Sequence, residues 1–156
     1  MNSYIPVKDH RNIWLYWEHR EGVSIEPPHI RLCRKAIYQH AGNATVHLVT
    51  PENLYEYLPN LPRNIENIRG KSGQKLLAVK CDVIRAYLLR EYGGLYLDCD
   101  TIPLQSIDTV FDTLDDYDFV GMQCESFGDH HIPVGVYGSR PQGVVIRRYV
   151  NAIRRK

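Results

Sequence analysis

The sequence contains no apolar run that approaches the roughly 18 residues needed for a membrane-spanning helix. Its start, MNSYIPVKDH, also lacks the basic and apolar regions of a signal peptide. These two absences argue against an integral membrane segment and against secretion. They predict a soluble protein of the cytoplasm.

Closely spaced cysteines and an excess of charge are missing as well. Cys33, Cys81, Cys99 and Cys124 lie far apart without a C-x-x-C spacing, which predicts buried thiols in a reducing compartment and neither a disulfide framework nor a zinc site. The 19 Lys and Arg residues balance 18 Asp and Glu residues, for a formal net charge of +1. Because no broad positive field results, we expect no nucleic-acid partner.

The first part of the chain alternates between strand and helix patterns. Residues 13–17, IWLYW, predict a buried first strand, and the Pro pair that follows predicts a helix over 29–41. A β-branched stretch at 45–50 predicts a second strand, and a short helix follows at 52–58. This alternation indicates an α/β fold with a mostly parallel sheet. The length of 156 residues fits a single domain.

The rest of the chain continues with one long interruption. Residues 59–73 contain Pro and Gly with few apolar anchors, so they predict a long surface loop, a kind of segment that is often functional. The longest helix is predicted over 74–92. After it we predict a strand at 95–97, an acidic helix at 107–117, strands at 119–123 and 136–139, and a final helix from Pro141.

Two aspartates follow the strand after the long helix. Gly93 and Gly94 can end that helix without a Cβ penalty, and a short apolar strand then leads to Asp98 and Asp100. Side chains at i and i+2 of a strand point the same way, so both carboxylates are expected on one side, with Cys99 on the other. Such a pair at the carboxyl end of a strand suits Mg²⁺ or Mn²⁺. The same Asp-x-Asp also fits a solvated turn.

Other candidate residues allow two interpretations each. Asp82 and Arg85, three apart on the long helix, form either a surface ion pair or a ligand contact. Trp14 belongs either to the core or to a surface that stacks on a base. The adjacent His130 and His131 are either solvated or a late metal ligand.

The block AVKCDVIRAYLLREYGGLYLDCDTIPLQSID resembles the sugar-binding DXD region of glycosyltransferases. The groups it resembles are capsular polysaccharide synthesis transferases, initiating mannosyltransferases and the clostridial glucosylating toxins. The resemblance covers about residues 13–108, and Cys81 stands where these families have Ser. The positions that match the pattern are Asp82, Arg85, Leu89, Tyr92, Gly93, Gly94, Tyr96, Asp98 and Asp100.

The resemblance implies a GT-A fold, in which residues 1–156 form a single nucleotide-sugar-binding domain. It implies a UDP- or GDP-sugar donor, a glycan or other acceptor, Mn²⁺ or Mg²⁺, and retention of anomeric configuration. By the same resemblance the catalytic and metal-binding residues are Asp98 and Asp100. The implied donor contacts are Trp14, Asp82, Arg85, Tyr96 and Asp98.

Two departures keep other functions open. Glycosyltransferase domains of this kind are usually longer, so the chain fits a C-terminally shortened domain, a minimal transferase or a donor-binding remnant without turnover. The stretch LYLDCDT also fits the motif of haloacid-dehalogenase-like phosphatases, with Asp98 as nucleophile and Asp100 as acid/base. That motif normally lies near the start of its domain, whereas here strands are predicted before it.

Overall fold

A five-stranded sheet with helices on both faces forms the framework of the protein. The computed structural model describes residues 11–122 and 135–154. The strands are β1 (Asn12–Tyr16), β2 (Thr45–Val49), β3 (Gly94–Leu97), β4 (Phe119–Gly121) and β5 (Val136–Ser139). The helices are α1 (Pro28–His40), α2 (Leu54–Tyr57), α3 (Leu77–Tyr92), α4 (Asp108–Asp116) and α5 (Val144–Arg154), with a 3₁₀ helix at Arg63–Asn67.

The strand order in the sheet is β2-β1-β3-β5-β4. Strand β1 pairs in parallel with β2 and β3, whereas β5 pairs antiparallel with both β3 and β4. The predicted α/β class is therefore confirmed, but the sheet is mixed, because β5 runs against its neighbours. A four-residue strand shows the same side-chain alternation in either direction, so its pattern does not specify its orientation.

Successive strand residues enter two separate cores, because their side chains alternate between the faces of the sheet. Trp14, Tyr16 and Tyr96 pack on the face covered by α3 and α5. Ile13, Leu15 and Leu95 pack on the other face, against residues of α1 and α4 such as Ile37 and Phe111.

The Tyr-Gly-Gly segment turns the chain from α3 into the centre of the sheet. The helix ends at Tyr92, and Gly93 follows with φ of +69°. Gly94 has φ of +106°, and a Cβ atom there would lie 2.2 Å from the carbonyl oxygen of Asn12. The predicted glycine stop is therefore confirmed, and Gly94 also allows β3 to approach β1 closely.

The predicted surface loop at 59–73 is better anchored than its composition indicated. Leu61 and Ile65 are 3% and 5% exposed and belong to the core beside α3. The 3₁₀ helix supplies Ile65, and a bridge pairs Arg69 with Lys75. The expectation of few apolar anchors was wrong, because a single turn of 3₁₀ helix is too short to produce a recognisable period.

The structure bears on two of these sequence observations, the apolar runs and the cysteines. No helix within the described ranges is both long and apolar enough to cross a bilayer. Cys33, Cys81 and Cys99 are free thiols. Cys124 lies outside the described residues, as do His130 and His131.

Candidate functional site

A cleft of about 680 Å³ opens at the carboxyl ends of β1 and β3. Strand β1 lies between β2 and β3, so the chain leaves it to one side and later returns on the other. Open α/β sheets bind ligands at this switch point. Residues that follow β1 and β3, together with the first turns of α1 and α3, form the walls; they include Trp17, Glu18, His29, Ala78, Cys81, Asp98 and Asp100.

Asp98 and Asp100 both line the cleft, but strand alternation does not bring them together. Strand β3 ends at Leu97, and the next residues form a turn in which Thr101 N–H donates to Asp98 O at 3.0 Å. The Cys99 thiol is buried and donates to the carbonyl oxygen of Tyr16 at 3.3 Å, which ties the turn to β1. Asp98 and Asp100 therefore line one cleft after the strand, as predicted. They do so from a turn, so the predicted strand geometry of residues i and i+2 was wrong.

The Asp98 carboxyl group is half-buried and crowded by other acids. Burial raises its pKa, and the charges of Asp100 and Asp82 raise it further, whereas Arg85 lowers it. Gly135 borders it as well, since a Cβ atom there would lie 2.6 Å from Asp98 Oδ2. A carboxylate with a raised pKa beside a second carboxylate gains from a cation placed between them.

Arg85 lies between the two acids that flank it. Its side chain is almost fully buried, with Nη2 at 2.8 Å from Asp82 Oδ1 and Nη1 at 3.7 Å from Asp98 Oδ1. The guanidinium stacks over the Tyr96 ring at 4.7 Å. The Asp82–Arg85 pair expected from the helix spacing is present. Arg85 does not itself line the cleft, and its planar guanidinium is linked to the cleft wall through Asp98.

Asp82 itself faces a different cavity. This second cavity, of about 590 Å³, lies between the 3₁₀ helix, α3 and α5 and has mainly apolar walls. Asp82 lines it and is absent from the wall of the first cleft. Asp82 is therefore linked to Asp98 through Arg85, whose guanidinium contacts both carboxylates, and its direct contact with a donor stays a prediction.

Trp14 is a core residue in this structure. It is fully buried, its Nε1 donates to the Gly93 carbonyl oxygen at 2.8 Å, and its ring lies 4.4 Å from His47 and 5.3 Å from Tyr92. Of the two interpretations of Trp14, the core one fits, and a base contact does not, since the ring lies among core residues. The physical reason is its position on the face of β1 that packs against α3.

Trp17 takes the position in the cleft wall that Trp14 was expected to hold. It follows the end of β1, packs partly against the core on the opposite face, and lines the cleft. Its buried Nε1 has no hydrogen-bond partner among the described residues. Trp14 and Trp17 are three positions apart, an odd spacing that places them on opposite faces of an extended chain.

Tyr96 and Cys81 complete the matched positions. Tyr96 lines the cleft although it is almost fully buried, and burial raises its pKa well above the usual value. Burial also raises the pKa of the Cys81 thiol to about 11, which keeps it neutral where the resembling families have Ser. Neither group offers a charge to a ligand.

A buried ion network at the cleft wall was not anticipated. Lys80 is 4% exposed, and its Nζ donates to Glu18 Oε2 and Glu66 Oε2, both at 2.6 Å. The Tyr16 hydroxyl also donates to Glu18 Oε2, at 2.5 Å. The signal was present in the sequence, since Lys80 lies three and four residues before Val83 and Ile84 and so belongs to the apolar stripe of α3.

The acidic pair fits a divalent cation that is shared with a substrate. Among the described residues, no group of three or more His, Cys, Asp or Glu side chains is arranged to hold a metal ion. Mg²⁺ in proteins is often held by one or two carboxylates together with substrate phosphates, a donor set that Asp98 and Asp100 can begin.

A comparison with known protein families gives one match. The sequence model of a family described as capsular polysaccharide synthesis protein matches residues 2–140, which include both β1 and the Asp98 turn. No curated protein matches the chain.

Proposed function

This chain belongs to the capsular polysaccharide synthesis protein family, and we propose on that basis that it is a metal-dependent glycosyltransferase. It moves a sugar from a UDP- or GDP-sugar to a glycan or another acceptor, with retention, on a sheet of the GT-A type. The observation that carries the proposal is the pair Asp98 and Asp100 in the wall of a cleft at the switch point of the sheet.

The acidic pair and Arg85 have different roles in donor binding. When bound, Mn²⁺ or Mg²⁺ on Asp98 and Asp100 supplies the charge that stabilises the departing nucleoside diphosphate. Arg85, buried and stacked on Tyr96, does not line the cleft; its fixed guanidinium orients the Asp98 carboxylate, and its direct contact with a phosphate or a sugar hydroxyl stays a prediction. This arrangement costs little side-chain entropy on binding, because Arg85 is already immobilised.

The other wall of the cleft suits the base and ribose of the donor. Trp17 offers an aromatic face and an indole N–H that has no partner among the described residues. Stacking of a base on an aromatic ring is worth about 1–3 kcal/mol in other proteins. The contact that the resemblance implied for Trp14 is thereby reassigned to Trp17, on the wall of the same cleft.

The experiment that tests the proposal is calorimetric titration of a panel of UDP- and GDP-sugars with and without Mn²⁺. We expect Asp100→Asn to abolish the metal-dependent part of donor binding while far-UV circular dichroism and Tm stay close to wild type. Asp116→Asn is the matched control, because Asp116 is an exposed acid on α4 that does not line the cleft. Metal-dependent binding that survives Asp100→Asn would remove this residue from the site.

Release of nucleoside diphosphate in the same samples separates the enzyme from its alternatives. A transferase releases the diphosphate in the presence of an acceptor or, slowly, with water. A donor-binding remnant shows affinity without release. A phosphatase that uses Asp98 as nucleophile instead hydrolyses simple phosphomonoesters and is trapped by aluminium or beryllium fluoride.

A further inference from the structure

We propose that Lys80 is a positioning residue that orients Glu18 in the cleft wall, where Glu18 accepts a hydrogen bond from a hydroxyl group of the donor. The inference rests on the proposed function only for the identity of the ligand as a nucleotide sugar. Neither residue belongs to the acidic pair, and both are separated from it in the sequence.

Glu18 reaches the cleft from the end of β1. It follows Trp17, lines the cleft, and is largely buried, with 11% of its side chain exposed. One of its oxygens, Oε2, accepts hydrogen bonds from Lys80 and from Tyr16. The other, Oε1, has among the described residues only Lys75 at 4.0 Å, so it has unused acceptor capacity.

Lys80 holds three segments together at this point. Its ammonium group joins Glu18 after β1, Glu66 in the 3₁₀ helix and its own helix α3. The pKa of Lys80 is raised: burial lowers it, but the hydrogen bonds that Lys80 donates to Glu18 and Glu66 outweigh that effect. Lys80 and, at a longer distance, Lys75 therefore face the two carboxylates, so the charges of the cluster balance.

The arrangement suits orientation better than it suits stability. A buried ion pair is weak support for a fold, since the cost of removing its charges from water offsets most of their attraction. It does fix geometry, because both bonds are short and Lys80 has little freedom at 4% exposure. A carboxylate held in this way at a cleft wall is a preformed acceptor for a sugar or ribose hydroxyl.

The test compares donor affinity in three variants by calorimetry with Mn²⁺. We expect Glu18→Gln to weaken binding about tenfold or more, as for loss of a hydrogen bond to a charged group. Lys80→Met should weaken binding similarly, although the Glu18 carboxylate is intact, and Lys80→Arg should restore most of the affinity. Glu56→Gln, an exposed glutamate on α2 outside the cleft, is the charge-matched control.

Binding of three ligands identifies which hydroxyl group donates its hydrogen bond to Glu18. They are the nucleotide sugar, the free nucleoside diphosphate and its 2′-deoxy form. If the partner is the ribose 2′-hydroxyl, Glu18→Gln weakens binding of the nucleoside diphosphate but leaves binding of the deoxy form unchanged. If the partner is the ribose 3′-hydroxyl, the variant weakens binding of both forms. If the partner is a hydroxyl group of the transferred sugar, Glu18→Gln weakens binding of the nucleotide sugar alone.

The failure of this inference differs from the failure of the proposed function. A wild-type protein that binds no donor overturns the proposed function, and the inference falls with it. If the Glu18→Gln variant binds the donor as tightly as the wild-type protein, that result overturns this inference alone. A uniform loss of affinity in Lys80→Met and Lys80→Arg, together with a loss of Tm, also overturns it, since that result indicates a purely structural clamp.

Discussion

Replacement of Gly94 by alanine tests whether the turn between α3 and β3 sets the position of the acidic pair. Gly94 has φ of +106°, a value that side-chain-bearing residues rarely adopt. The added Cβ atom would also lie 2.2 Å from the carbonyl oxygen of Asn12, which is main chain of β1 and cannot move alone. The substitution therefore combines backbone strain with a steric clash at the β1–β3 contact.

The expected loss follows from these two contributions. Backbone strain at such a φ costs about 1–3 kcal/mol, and overpacking of a close contact costs about 1–3 kcal/mol. Their sum, about 2–6 kcal/mol, is a large part of the 5–15 kcal/mol that a domain usually has. Because β3 ends directly before Asp98, we also expect the folded fraction of Gly94→Ala to bind donor more weakly.

Urea denaturation followed by circular dichroism measures this loss, and Gly73→Ala supplies the control. Gly73 has φ of +82°, but nothing lies within 4 Å of its added Cβ atom, so this variant contains the backbone contribution alone. The difference between the two losses isolates the contact with Asn12. Equal losses in the two variants would refute the view that this contact sets the spacing of β1 and β3.

Two further predictions concern residues whose roles only the structure separates. Trp14→Phe should lower the free energy of unfolding by about 1–3 kcal/mol, since it deletes a buried hydrogen bond to Gly93, and should leave donor affinity unchanged. Trp17→Phe should do the reverse, weakening donor binding several-fold with little change in Tm; identical behaviour of both variants would contradict the reassignment. Glu66 has a lowered pKa, because its hydrogen bonds from Lys80 and Tyr55 outweigh the opposing effect of burial. Its stabilising effect is thus complete above the unfolded pKa of about 4.5 and is lost as pH falls through the lower folded value. Glu66→Gln should therefore have a lower Tm than wild type at pH 7, and the gap should close below about pH 4.5 in calorimetric scans; a gap independent of pH would contradict this role.

Much of the fold near the site follows from local patterns. The end of α3 at Tyr92, the glycine stop and the apolar strand after it depend on backbone preferences and on short-range periodicity, both of which are visible in the sequence. The direction of β5 and the 3₁₀ helix at Arg63–Asn67 do not. Both depend on contacts with segments far along the chain, which no local window contains.

The candidate site shows the same division at the level of single residues. Asp98 and Asp100 were expected in the site from their residue type and spacing, and both line the cleft, whereas Arg85 contacts Asp98 without lining it. Trp14 was expected in the site and lies in the core, whereas Glu18 in the cleft wall was overlooked. Which tryptophan faces a ligand depends on which face of β1 is covered by α3, and that is a property of packing.

The sequence by itself determined that two acids follow a central strand after a helix and a pair of glycines, because each of these signals acts within a few residues. Only the tertiary structure decided that Arg85 also contacts Asp98 and that Lys80 joins Glu18 to Glu66. Those contacts link residues up to 62 positions apart. They form only when the packing of β1, α3 and the 3₁₀ helix removes their charges from water together.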